Sequence, residues 1–126
     1  MIQDHHRFCI APMMKKTDRH FRFLARQFTN KSMLYTEMIH ANAVLKGDVE
    51  KLLSFSNVEH PLGLQLGGSD PQMLAEASII GQEFGYDEIN LNVGCPSKKV
   101  KSGNFGVFLM KNVDLLSCLL YTSDAA

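Results

Sequence analysis

The chain has 126 residues, 45% of them hydrophobic, which suits one compact domain or part of a larger one. Lys plus Arg and Asp plus Glu both count 13, so global charge points to neither nucleic acid nor membrane, and any such contact needs a local patch. No apolar run approaches the ~20 residues that cross a bilayer, residues 1–7 lack the apolar middle of a signal peptide, and Cys9, Cys95 and Cys118 are too far apart to read as a disulfide framework or a zinc site.

Cytoplasm is the default expectation, with no metal. Residues 1–7 read as a flexible leader in which His5 and His6 are exposed. The first strand candidate is Phe8-Cys9-Ile10-Ala11-Pro12-Met13-Met14. Thr17 or Asp18 can then cap a helix, because their side-chain oxygens accept from free backbone N–H groups. Phe21, Leu24, Ala25 and Phe28 fall at i, i+3, i+4 and i+7, one apolar helical face. Arg22 and Arg26, on the same helix, are expected on an exposed, non-binding face. Residues 32–38 read as a second strand, followed by a helical stretch over 41–45 that Gly47 breaks and another turn or two over 49–55.

Leu62-Gly63-Leu64-Gln65-Leu66 is the third strand. Ser69 or Asp70 can cap the next helix, Pro71 suits its first turn, and Gln72 offers a capping box to Ser69. Met73, Ala77, Ile80 and Phe84 mark its buried side, and Gly85 ends it. The fourth strand covers residues 88–93, and a loop over 94–106 leads to a last helical segment over 113–120.

Alternating strands and helices imply a parallel sheet. An open doubly wound sheet and a (β/α) barrel are the two architectures available. Leu62, Leu64 and Leu66 alternate with Gly63 and Gln65, and Ile89, Leu91 and Val93 alternate with Asn90 and Asn92. A sheet covered by helices on both faces should be apolar on both. One apolar and one polar face favours the barrel. A full barrel needs eight units and about 250 residues, so four units make this the N-terminal half of a (β/α)8 TIM barrel, a partial domain over residues 8–120.

Working groups in such a barrel lie at the C-terminal strand ends. The sharpest stretch there is Asn90-Leu91-Asn92-Val93-Gly94-Cys95-Pro96-Ser97. Gly94 permits a tight turn and Pro96 stiffens the chain after Cys95. A thiol so held can serve as a general acid, or simply as a small buried hydrophobe. Asn92 carries both donors and an acceptor, which suits the imide edge of a pyrimidine. Lys98, Lys99 and Lys101 follow directly and are candidate phosphate contacts or a solvated loop.

This stretch resembles the active-site motif of the tRNA-dihydrouridine synthases. Ala11-Pro12-Met13-Met14, Thr17-Asp18-Arg19-His20, Leu34-Tyr35-Thr36-Glu37-Met38, His60-Pro61, Leu64-Gln65-Leu66-Gly67-Gly68-Ser69-Asp70-Pro71 and Gly85-Tyr86-Asp87-Glu88-Ile89-Asn90 are similar to that family in order and spacing. The Tyr-Thr-Glu-Met and Gln-Leu-Gly-Gly-Ser-Asp-Pro forms resemble its A-type branch. The resemblance implies a TIM-barrel FMN enzyme that reduces uridines in the tRNA D-loop. It implies that NADPH reduces the flavin, that hydride goes to C6 of uracil and that Cys95 protonates C5. It further implies that Pro12, Met13 and Met14 lie along the flavin, that Gln65 hydrogen-bonds its ring system and that Asn92 contacts the uracil. The partner is then tRNA, and the full-length protein is expected to be a monomer.

The chain departs from the family at Val107 and Phe108, where a small residue and a second cysteine are usual. The likeness is expected to fade from about Ser117, leaving residues 121–126 as a truncated or foreign tail. The 126-residue chain by itself is therefore expected to be inactive. Another FMN barrel oxidoreductase acting on a free pyrimidine is the enzymatic alternative, and an inactive truncated product the non-catalytic one.

Overall fold

The computed structural model describes residues 4–95 and 105–125. Strand β1 (Cys9–Ile10) is followed by helix α1 (Arg19–Phe28), β2 (Met33–Tyr35), β3 (Ile39–His40), α2 (Ala41–Lys46) and α3 (Val49–Leu53). Then come β4 (Leu62–Gly67), α4 (Pro71–Phe84), β5 (Glu88–Leu91) and α5 (Val113–Ala125). One-turn 3-10 helices cover Asp4–His6 and Asn57–Glu59, and a longer one covers Gly106–Lys111.

The helix starts follow from side-chain capping. Asp18 accepts from the Phe21 N–H at 2.9 Å, and Asp70 accepts from the Met73 N–H at 2.9 Å with Pro71 in the first turn. The capping box expected from Gln72 does not form, because Gln72 donates to Glu76 instead. Gly85 closes α4 at φ 92°, a left-handed position that other residues adopt at a cost.

All strand pairings are parallel. Gly63 of β4 pairs with Tyr35 and Glu88, and Leu66 pairs with Ile39 and Leu91, so β2 and β3 share one side of β4 while β5 takes the other. With β1 on β2, the lateral order follows the chain order. The second strand of the sequence is thus interrupted rather than continuous. Leu34 faces Leu62 and Ile39 faces Leu66, so five steps on one strand span four on its neighbour. The extra residue is a bulge. Thr36 repairs the ladder there: its N–H donates to the Gly63 carbonyl at 2.9 Å and its hydroxyl accepts from the Gln65 N–H at 3.1 Å.

Leu62, Leu64 and Leu66 point one way into a core with Leu34, Val44, Leu53, Leu74 and Leu119, all essentially buried. The opposite face carries Tyr35, Glu88, Gln65 and the asparagines. Gly63 is needed on that face, since a Cβ there would stand 2.6 Å from the Tyr35 ring. The Tyr35 hydroxyl donates to one Glu88 oxygen at 2.7 Å and His6 bonds the other at 2.7 Å. Residues 4–6, expected in a flexible leader, are therefore tied to the sheet: a carboxylate on its polar face demands donors, and His6 supplies one.

Three expectations about helix faces change. In α4 the buried residues are Leu74, Ala77, Ser78 and Gly81, with Met73, Ile80 and Phe84 only partly covered. The inward face is rotated by about one position. In α1 the predicted apolar face opens outward: Leu24 and Phe28 are exposed, and with Phe8, Ile10, Phe21 and Ala25 they line an apolar groove of about 520 Å³ beside β1. The residues expected outside are the inward ones. Arg22 is buried, its Nε donating to Glu59 at 2.6 Å and its NH1 to the Thr17 carbonyl at 2.7 Å. Arg26 donates to the carbonyls of Thr29, Glu59 and Pro61. Buried charge is tolerated only when paired, and the partner here comes from a segment more than thirty residues away. The last helix also runs to Ala125 rather than ending at 120, and α5 packs on α4.

Asp87 joins the N-terminal ends of β4 and β5. Its carboxylate accepts from the Leu62 N–H at 2.7 Å and from His60 Nδ1 at 2.6 Å. Partial burial pushes its pKa up, but the hydrogen bonds from His60 and Leu62 outweigh this and hold it below the ordinary Asp value. A depressed folded-state pKa contributes stability that is present above the unfolded-state value, about 3.9, and is lost as pH falls through the folded one. Melting temperatures of the native chain and Asp87→Asn should therefore differ most near neutrality and converge in acid. An equal gap at all pH values would show that the carboxylate charge is not what holds these strand ends.

Candidate active site at the strand ends

The site is built from the C-terminal ends of β1, β4 and β5. Gln65 is the central polar residue of β4 and is nearly buried, at 8% exposure. Its carboxamide Nε2 donates to Asn90 Oδ1 at 2.8 Å, and its Oε1 accepts from Asn92 Nδ2 at 3.0 Å. Asn90 and Asn92 sit two apart along the β5 segment, so both meet the same face of the neighbouring strand.

Asn92 then turns the chain. Its N–H donates to the Leu66 carbonyl at 2.8 Å, extending the sheet one residue further. Its Oδ1 accepts from the N–H of Gly94 at 3.2 Å and of Cys95 at 3.1 Å. This is the local hydrogen bonding by which asparagine favours turns. The Cys95 carbonyl accepts from the Val107 N–H at 3.1 Å, which ties the end of the turn to the 3-10 helix at Gly106–Lys111. Phe105, at 6% exposure, makes a T-shaped contact with the His40 ring at 5.1 Å between centroids. A Cβ on Gly67 would stand 3.3 Å from Phe105 and 2.7 Å from Met38, so the glycine admits both side chains to the strand tip.

Pro12, Gln65, Leu91, Asn92, Val93, Gly94 and Cys95 together line an open cleft of about 390 Å³. Four of the residues singled out in the sequence thus share one cavity. Cys95 is partly buried and packs against the edge of the core. Met13 and Met14 do not line this cleft. Both are exposed, and Met14 lines a neighbouring cavity of about 530 Å³ with Arg19, Glu37, His40 and Lys51. The loop they occupy is fixed by other groups: Thr17, fully buried, accepts from the Met13 N–H at 3.0 Å, and Glu37 accepts from the Lys15 N–H. Lys15 has φ 61°, a left-handed conformation. Glu37 thus has a structural role. Lys98, Lys99 and Lys101 lie outside the described residues.

Sequence reading missed Asn90 and Thr36. The strand alternation placed Asn90 on the polar face but gave it no partner. Thr36 became important only through the bulge, which no local signal announces.

The cleft combines apolar surface (Pro12, Leu91, Val93) with two carboxamides and a thiol. After the internal bonds are counted, Asn92 retains one N–H, and Gln65 one N–H and one lone pair. That donor set fits the edge of a planar heterocycle with carbonyl and imide groups. Among the described residues no group of three or more His, Cys, Asp or Glu side chains is arranged to hold a metal ion, and no helix is long and apolar enough to cross a membrane.

Comparison with known proteins gives the same direction. The chain is 62% identical over 108 residues to a Synechocystis protein named tRNA-dihydrouridine(20/20a) synthase, covering 86% of this chain and 32% of that protein. It is 56% identical to the protein of that name from Xanthomonas axonopodis pv. citri, over 88% of this chain and 33% of the relative. For the Yersinia pestis protein of that name the identity is 48%, over 94% and 34% respectively. The chain spans about a third of the length of these relatives. A family model described as "Dihydrouridine synthase (Dus)" matches residues 9–125, past the point near Ser117 where the likeness was expected to fade. With that match over most of its length, the chain belongs to the dihydrouridine synthase family.

Proposed function

We propose that this chain forms the N-terminal part of a tRNA-dihydrouridine synthase, an FMN- and NADPH-dependent oxidoreductase that reduces uridine to 5,6-dihydrouridine in the D-loop of tRNA. The relatives' names point to positions 20 and 20a. The observation that carries the reading is Cys95 at the tip of β5, held by Asn92 and Val107, in one cleft with Gln65 and Pro12. A parallel sheet whose strand order follows the chain order supports half of a TIM barrel, since a doubly wound sheet reverses direction at a switch point.

Pro12 and Gln65 would hold the flavin ring, Gln65 through the N–H and lone pair left on its amide. When bound, FMN supplies hydride chemistry that no amino-acid side chain offers. The protein's own work is then positioning and proton transfer. Cys95 delivers a proton to the pyrimidine carbon as negative charge develops there, a role for a general acid. Asn92 directs its remaining N–H toward a carbonyl oxygen of the base. The target nucleotide must leave its stack to bring its base edge against the amides and thiol of this cleft. Met13 and Met14 on the adjacent loop, and Lys98, Lys99 and Lys101 beyond Cys95, are proposed contacts to flavin and to tRNA phosphates respectively. The cytoplasm, where tRNA is processed, is the proposed location.

The test is to incubate the full-length protein carrying this sequence with NADPH and either unmodified tRNA or free uracil. Dihydrouridine in the tRNA alone is the expected result. Reduction of free uracil without tRNA modification would overturn the assignment in favour of a free-pyrimidine reductase. The 126-residue chain taken alone is expected to retain no flavin and reduce no tRNA, because β1 and β5 each pair on one side only among the described residues. Yellow, active material from that chain would refute this expectation.

A further inference from the structure

We infer that Asn90 is a positioning residue: it terminates a polarised row of carboxamides that fixes Gln65 and Asn92 and, through them, the turn presenting Cys95. The polarity of the row is set at the cysteine end. The N–H groups of Gly94 and Cys95 can only donate, so Asn92 must turn its oxygen to them, at 3.2 and 3.1 Å. Its nitrogen then faces Gln65, at 3.0 Å from Oε1. Gln65 in turn must present its nitrogen to Asn90, whose Oδ1 accepts at 2.8 Å. Each amide has one orientation that satisfies both neighbours.

Asn90 is the only end of this row that a side chain controls. Gln65 is nearly buried, so an unpartnered Nε2 would be costly there. Without an acceptor at position 90 the Gln65 amide is free to rotate. Rotation would bring nitrogen against Asn92 Nδ2, donor against donor, and loosen the Asn92 side chain from the turn. The orientation also decides what a ligand meets in the cleft, since it leaves Asn92 with a donor and no free acceptor. The functional consequence rests on the proposed role of Cys95, but the geometric claim does not.

Asn90→Leu removes the acceptor while keeping a similar volume, and Asn90→Asp keeps an acceptor oxygen. In the full-length protein, hydrogen exchange of the Gly94 and Cys95 amides should quicken about fivefold or more in Asn90→Leu, the scale of one lost hydrogen bond. Alkylation of the Cys95 peptide by iodoacetamide, followed by mass spectrometry, should quicken alongside. Asn90→Asp should stay near native in both. Asn90→Ala, which introduces no bulk, replaces the Leu variant if that one melts well below the native protein. Unchanged exchange and alkylation in the folded acceptor-less variant would overturn the inference, as would an Asp variant as perturbed as Leu. Native protein that fails to reduce tRNA would sink the proposed function while leaving the exchange result to decide Asn90. Active protein with unmoved exchange would sink the Asn90 inference alone.

Discussion

Cys95→Ala is expected to lower the rate of dihydrouridine formation in the full-length protein by about 10²–10⁴-fold, the range over which a positioned general acid acts. The substitution is well suited to isolating chemistry from folding. The backbone groups of Cys95 carry its structural bonds, the N–H to Asn92 and the carbonyl to Val107, and alanine keeps both. The lost sulfur is only partly buried, so the melting temperature should move little. Flavin retention should also persist, since Pro12 and Gln65, the proposed flavin contacts, are unchanged. Cys95→Ser, with a similar shape but a far weaker acid, should remain closer to alanine than to the native enzyme. Rates are to be measured in single turnover with pre-reduced enzyme and unmodified tRNA. Native rates in Cys95→Ala would remove the thiol from the mechanism.

Arg22→Met is expected to destabilise the fold by about 3–5 kcal/mol, the cost of leaving one member of a buried ion pair without its partner. Both side chains are almost fully enclosed, Arg22 at 6% and Glu59 at 2% exposure. The carboxylate would keep only the Ser56 N–H, at 2.9 Å, as a donor, and the Thr17 carbonyl would lose the guanidinium. Against a typical total stability of about 5–15 kcal/mol, that loss is severe. Joining Arg22→Met to Glu59→Leu should recover much of it, because two apolar groups of similar volume avoid the stranded charge. Urea unfolding of the full-length single and double variants measures this. A single-variant cost below about 1 kcal/mol would show that water reaches the pair and that it behaves as a surface bridge.

Much of the local structure was legible from the sequence. Asp18 and Asp70 at helix starts, Gly47 and Gly85 at helix ends and the Leu62-Leu64-Leu66 alternation all act through neighbours a few residues away. The cleft was legible for a related reason: Gln65 lies in the C-terminal half of its strand, Asn92 and Cys95 just past the end of theirs, and a parallel sheet gathers those ends on one side. The apolar face of α1 was misread because periodicity finds a face but not what covers it. Leu24 and Phe28 have the right spacing for a core and lie open beside β1.

The sequence by itself determined the capped helix ends, the parallel α/β pattern and the motif around Cys95, because capping, strand alternation and turn chemistry are set by residues close in the chain. Only the tertiary structure decided that Arg22 would be buried on Glu59, that a bulge would bring Thr36 to Gln65, and that Asn90, Gln65 and Asn92 would join in one row. Those contacts link segments 25 to 37 residues apart. Their energies depend on burial and on directional hydrogen bonds, which exist only after the sheet has aligned.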